Sequence, residues 1–92
     1  MKKEDLEDIK RWAQSRKATT LAELSEIRKK IFDLEKKAKG EREKKKYEVL
    51  RSVLFTLKAN ESEFLKKIAF YSAIESRANY FIDLIFPEIP KF

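Results

Sequence analysis

The sequence contains no cysteine and no histidine. Without cysteine no disulfide framework can form, and without either residue type the usual ligands of a zinc site are missing. Histidine is also the side chain that most often performs acid–base catalysis at neutral pH. We therefore expect a non-enzymatic protein with no catalytic residues, no metal site, no cofactor and no small-molecule substrate.

Glycine and proline are almost absent from the first 86 residues, where Gly40 is the single exception. Proteins rich in β-hairpins need more turn residues than this, whereas helices tolerate such a composition well. Hydrophobic residues make up 42% of the chain, which is too high a share for a disordered one. The sequence therefore predicts a single all-α domain.

Long apolar runs are also missing, and the charged residues at the start do not resemble a secretory signal. We expect a soluble, cytoplasmic protein that does not insert into membranes. Side-chain amides are rare, while lysine and glutamate are abundant. That balance is typical of proteins from hyperthermophiles, although lysine-rich coiled coils of ordinary organisms share it.

Hydrophobic periodicity and capping signals divide the chain into a small bundle of three to four predicted helices. These helices cover residues 3–16, 21–39, 41–59 and 61–86. Thr20 and Glu23 match a capping box, and Asn60 with Glu63 offers a second start signal. Gly40 provides the best break in the middle of the chain. If Gly40 does not end the helix, the second and third helices merge into one rod.

The second predicted helix carries a narrow apolar seam with alternating spacings of three and four residues, formed by Leu24, Ile27, Ile31, Leu34 and Ala38. The third helix continues this spacing with Tyr47, Leu50, Leu54 and Leu57. Such a seam is typical of coiled coils, and it either joins two chains or packs within one. Because it is only two heptads long, we expect it to pack within the chain.

The fourth predicted helix is apolar on more than one side. Its main stripe consists of Phe64, Ile68, Tyr71, Ile74, Ala78, Phe81 and Ile85. Further apolar residues lie outside this stripe, so more than one neighbour should cover the helix. We predict an interface, with a second copy or with another protein, formed by Phe55, Phe70, Tyr80, Phe86 and Phe92. The alternative for the off-stripe residues is a wide core within one chain.

The tail after the fourth helix, residues 87–92, contains Pro87 and Pro90, which end regular structure. We predict that this tail is extended. It either docks on a partner, with its backbone preset by the prolines, or folds back to cap its own bundle.

The net charge of +6 is unevenly distributed. Residues 1–46 carry 16 basic and 10 acidic side chains, whereas residues 47–92 are neutral and contain nine of the eleven aromatic residues. The sequence thus predicts a basic, coiled-coil-like half (1–46), an aromatic packing half (47–86) and the tail.

The basic excess is concentrated in residues 36–46, which hold seven basic and two acidic residues. If Gly40 turns the chain, this segment forms the tip of a helical hairpin and creates a strong local field. A solvated loop between helices is the plainer interpretation of the same segment.

The leading hypothesis is binding of nucleic acid, DNA or RNA, mainly through phosphate contacts that are independent of sequence. The candidate residues are Lys36, Lys37, Lys39, Arg42, Lys44, Lys45, Lys46, Arg28, Lys29, Lys30 and Trp12, with Arg11 and Arg16 extending the surface. Trp12 either stacks on an unpaired base or covers the edge of a core. The alternative function is a protein–protein interaction module, such as an accessory subunit, adaptor or inhibitor, that docks through the aromatic half.

Overall fold

The computed structural model describes residues 1–87, which form an antiparallel hairpin of two long helices. Helix α1 spans Lys3–Gly40 and helix α2 spans Lys44–Ile85, with residues 41–43 as the loop between them. The hairpin measures 71 × 26 × 14 Å, so it is long and only two helices wide. The all-α prediction is confirmed, but the predicted bundle of three to four helices is wrong.

The predicted helix start at Thr20 is wrong because this residue lies inside α1 and is buried. Its hydroxyl donates a hydrogen bond of 2.7 Å to the carbonyl oxygen of Arg16, one turn earlier. A threonine inside a helix satisfies its hydroxyl in this way. Thr20 also lies seven residues, or two turns, after Ala13, and it therefore continues the buried seam instead of capping a new helix.

The predicted helix start at Asn60 is also wrong, since Asn60 is an exposed residue within α2. Neither glycine nor proline occurs between residues 44 and 85, so nothing in the backbone stops that helix. The predicted break at Gly40 is confirmed. Helix α1 ends there because Glu41 adopts an extended conformation with φ −82° and ψ 124°.

The largest core cluster lies in the half of the hairpin near the loop, where Ile31, Ala38 and Leu54 are buried together. Four partly buried residues pack against this cluster: Ile27, Leu34, Leu50 and Leu57. The seam of α1 therefore packs against α2 of the same chain, as the sequence predicts. Outside the cluster, the other buried residues between positions 1 and 87 are Leu6, Ala13, Thr20, Leu24 and Ala78.

Polar contacts join the two helices along one broad side of the hairpin, which we call the polar face. On α1 this side is defined by Gln14, Arg28 and Glu35, which lie on one strip because multiples of seven residues separate them. These residues pair with α2 through three contacts: Gln14 Nε2 to Glu75 Oε1 at 3.3 Å, Arg28 Nε to Glu61 Oε2 at 3.1 Å, and Lys58 Nζ to Glu35 Oε1 at 3.2 Å.

Helix α2 ends at Ile85, one residue before the predicted end, and Pro87 lies outside it. Phe92 and most of the predicted tail lie outside the described residues.

Candidate functional site

Seven basic side chains surround the loop at one end of the hairpin, which we call the basic tip. Lys36, Lys37 and Lys39 belong to the last turns of α1, Arg42 belongs to the loop, and α2 begins with Lys44, Lys45 and Lys46. All seven side chains are exposed. The structure therefore brings together the basic segment as the sequence predicts.

Acidic neighbours neutralise little of this charge. Within residues 1–87, the only ion pair of the basic tip joins Lys46 Nζ to Glu43 Oε2 at 3.4 Å. The carboxylate of Glu41 accepts a hydrogen bond of 3.0 Å from the backbone N–H of Glu43. Both acids of the tip are thus held at the loop, and within residues 1–87 the other lysines of the tip pair with no acid.

The lysines that begin α2 work against the stability of their own helix. The N-terminus of a helix carries a partial positive charge, which favours acidic residues and disfavours lysine. Nevertheless, the first turn of α2 contains no acid, and Glu43 makes no side-chain capping bond there. By contrast, Lys37 and Lys39 lie at the C-terminus of α1, where the dipole favours them. Helix stability therefore does not account for Lys44 and Lys45.

Shallow depressions lie on both sides of the basic tip. The first is lined by Lys36, Lys37, Gly40, Glu41, Lys46, Val49 and Leu50. The second, on the polar face, is lined by Glu35, Ala38, Lys39, Glu41, Tyr47, Arg51, Leu54 and Lys58. Cations border both depressions, so the tip presents positive charge in more than one direction.

The other predicted nucleic-acid-binding residues of α1 lie away from the basic tip. Arg28 is about 18 Å from the end of α1 by helix geometry, and its guanidinium is paired with Glu61 across the hairpin. Lys29 and Lys30 are exposed at a similar distance from the tip. The side chain of Arg11 pairs with Asp8.

Trp12 lies near the opposite end of the hairpin, about 42 Å along α1 from Gly40. Its ring contacts Tyr71 edge-on, with centroids 5.6 Å apart, and half of the residue remains exposed. The guanidinium carbon of Arg16 lies 6.0 Å from the centroid of the same tyrosine ring. Trp12 therefore covers the edge of the helix pair and is not part of the basic tip.

An open apolar groove lies at the end of the hairpin where α1 begins and α2 ends, which we call the terminal end. It is lined by Met1, Leu6, Ile9, Phe70, Ala73, Ile74, Arg77, Ala78, Phe81 and Ile85. Arg77 is the one charged residue in this lining. The groove lies on the side of the hairpin opposite the polar face, because Ile9, Phe70 and Ile74 follow the other flank of the seam.

The predicted interface residues are scattered in the structure. Phe70 lines the apolar groove, whereas Tyr80 lies outside it and packs edge-on against Phe81, with ring centroids 5.4 Å apart. Phe55 is 78% exposed and lies in the half of α2 nearer the basic tip. Phe86 is half-buried at the end of α2.

Sequence reasoning missed the groove itself. Ile74, Phe81 and Ile85 belong to the stripe that was expected to face a core, but Phe81 and Ile85 are exposed. The available signal was the angular offset of Ile74 and Phe81 from the seven-residue row of Phe64, Tyr71 and Ala78. This offset places them beside the seam and not within it.

Between residues 1 and 87, neither helix offers a stretch apolar and long enough to cross a bilayer. The same part of the chain brings together no group of three acidic side chains that would hold a metal ion. Comparison with known proteins found no matching family model, no matching curated protein and no matching solved structure.

Proposed function

We propose that this protein binds nucleic acid without catalysing a reaction, and that the basic tip contacts phosphates independently of sequence. The observation that carries the proposal is the concentration of exposed cations around residues 41–43. Among residues 1–87, Lys46 is the only one of these seven cations that forms an ion pair with an acid. Two of these cations, Lys44 and Lys45, occupy positions where they weaken their own helix. An external polyanion would relieve that repulsion.

The chemistry of the basic tip favours phosphates over bases. Residues 36–46 contain no asparagine, glutamine, serine or threonine, so amide and hydroxyl groups that read base edges are missing there. Lysine contacts phosphate as a flexible point charge, and each neutralised phosphate releases a counterion. A tip with seven cations on a convex end engages only a few phosphates at a time, and the salt dependence of its affinity is proportional to that number.

The test is fluorescence anisotropy with labelled single- and double-stranded DNA and RNA, between about 50 and 300 mM salt. We expect micromolar or tighter binding and a log–log salt slope of about −3 to −5. The absence of binding at the lowest salt would contradict the proposal. The basic tip would then be a solvated loop.

The double variant Lys44→Glu/Lys45→Glu gives a sharper test than simple charge removal. Acids at the start of a helix stabilise it, so this variant should unfold at a higher temperature than the unmodified chain. Loss of binding in a more stable protein cannot be attributed to unfolding. Lys66→Glu/Lys67→Glu is the matched control, since it makes the same charge change at two adjacent exposed positions away from the basic tip. The control should retain most of the binding.

A second candidate is the protein–protein interaction module that docks through the aromatic half. The observation that favours it is the apolar groove of the terminal end, whose lining contains a single charged residue. The two candidates use opposite ends of the hairpin and can coexist. Docking through the groove should survive Lys44→Glu/Lys45→Glu and fail when Phe70 or Phe81 is made polar.

A further inference from the structure

The hairpin buries few large side chains for its size. Seven hydrophobic residues of the described part of the chain are buried, but three of them, Ala13, Ala38 and Ala78, contribute little apolar surface. Among residues 1–87, no large side chain is fully shielded from solvent. Helices in proteins are stabilised mainly by packing of an apolar face against a neighbour. Two helices that share so small a core need a further surface to pack against.

The exposed area of the chain leads to the same conclusion. The chain exposes 7630 Å², whereas a folded monomer of 11.0 kDa exposes about 5,600 Å². If each of two chains covered about half of this excess, the interface would total about 2,000 Å². Such an area is at the lower end of the range for obligate homodimers.

The apolar groove lies on one side of the hairpin at the terminal end. Four large residues of the groove define this side: Ile9, Phe70, Ile74 and Phe81. Phe70 is 58% exposed, an unusual state for a side chain that lies among other apolar groups. The opposite, polar face is occupied by cross-helix pairs such as Gln14 with Glu75. The groove therefore offers an apolar docking surface to a partner of matching chemistry.

We propose that a second copy of this chain occupies the groove, so that two hairpins form an antiparallel four-helix bundle. A second copy presents the same apolar surface, and a two-fold axis makes one groove complementary to the other. In bundles of this kind, side chains from facing helices interdigitate at a small crossing angle. Phe70 and Phe81 of one chain would pack against their counterparts in the other. This inference goes beyond nucleic-acid binding and does not depend on it.

Charge decides how the two copies are oriented. Each chain carries a net charge of +6, and its excess of basic residues is concentrated in the basic tip. A parallel arrangement would place the two tips side by side, where their like charges repel. In the antiparallel arrangement the terminal ends overlap and the two tips point away from each other. The bundle then has apolar packing at its centre and positive charge at both ends.

Sedimentation equilibrium across a range of chain concentrations tests the proposal. We expect the unmodified chain to have twice the 11.0 kDa mass. The substitution Phe81→Asp should weaken the dimer by more than about tenfold, because it places a charge in the apolar interface. Phe55→Asp is the matched control, since Phe55 is 78% exposed and does not line the groove. This control should remain dimeric.

One further measurement keeps the test decisive if Phe81→Asp unfolds. The Tm of the unmodified chain should rise with chain concentration, because a dimer is stabilised by mass action. A Tm independent of concentration, or a monomer at every concentration, would overturn the proposal without affecting the nucleic-acid result. A dimer that tolerates Phe81→Asp as well as Phe55→Asp would also overturn it. In either case the groove would be assigned to a different protein.

The orientation is measured with a spin label at the basic tip. Because the chain has no cysteine, Lys39→Cys provides a single attachment site per chain. Antiparallel hairpins should place the two labels at least about one hairpin length apart, which is 71 Å. Labels about 20 Å apart, or two interhelical distances, would show a parallel dimer and contradict the proposed arrangement.

Discussion

The two ends of the hairpin differ in which side chains the same two helices bury and which they expose. Near the basic tip, Ile31 and Leu54 are buried together, and charge is displayed outside. At the terminal end, Ala13 and Ala78 fill the seam, and larger groups such as Phe70 remain exposed. Small residues between helices leave little apolar area to share within one chain. The comparison teaches that this chain buries a cluster of large apolar side chains at one end and leaves an apolar groove open at the other.

The largest expected effect comes from Leu54→Ala, which truncates a side chain of the core cluster near the basic tip. Leu54 is only 4% exposed, so its truncation should lower the free energy of unfolding by about 2–5 kcal/mol. Chemical denaturation followed by circular dichroism measures this loss. Val53→Ala is a useful control, because Val53 is exposed and should cost well under 1 kcal/mol. Equal losses for the two variants would show that the cluster near the tip is not the main core.

Thr20→Val should stabilise the middle of the hairpin, between the basic tip and the terminal end. Thr20 is 6% exposed, and its hydroxyl bonds only to the carbonyl oxygen of Arg16 in its own helix. That carbonyl already belongs to the helix ladder, so replacing the hydroxyl by a methyl group should raise the free energy of unfolding by about 0.5–1 kcal/mol. Thermal denaturation measures the change. A clear loss of stability would instead show that the hydroxyl is needed in the seam.

Gly40→Ala should produce a smaller gain at the basic tip. Gly40 does not have a positive φ, and a Cβ atom added there would meet no other atom within 4 Å. Alanine restricts the unfolded chain and favours the helix, so stability should rise by about 0.5 kcal/mol. The expected result is a small increase in Tm without loss of nucleic-acid binding. A decrease in Tm would mean that the loop needs the freedom of glycine.

The smallest expected effect concerns the ion pair between Arg28 and Glu61. Both side chains are partly exposed to solvent, so their coupling should be about 0.2–1 kcal/mol and should shrink at high salt. A double-mutant cycle with Arg28→Ala and Glu61→Ala measures it. A larger coupling would show that the polar face contributes to stability as much as the seam does.

Much of the fold could be predicted from the sequence, because the scarcity of glycine and proline leaves helices as the natural choice. The break could be predicted from Gly40 itself. The packing of Leu54 against Ile31 could be predicted from the alternating spacings of three and four residues. The two additional breaks at Thr20 and Asn60 were not real, because a capping motif is a local signal. Such a motif does not show whether the apolar spacing of the helix continues beyond it. At both positions the apolar spacing does continue.

The basic tip could be predicted together with the turn, because a turn at Gly40 brings lysines from both helices to one end. Arg28 and Trp12 could not be excluded from the site until the length of α1 was known. The apolar groove was harder to foresee. Phe81 was assigned to a core because three or four helices were expected to surround it, and a two-helix hairpin leaves that flank open.

The short loop also determines the order in which the hairpin assembles. Residues 41–43 bring together segments that are close in sequence, so contacts between Ala38 and the start of α2 have a low entropic barrier to closure. Contacts closer to the ends of the chain then form one after another on the part of the hairpin that has already folded. Opening should proceed in the reverse direction, with the termini separating first. In the monomeric hairpin, amide protons near Leu54 should therefore exchange more slowly than those near Leu6 and Ala78.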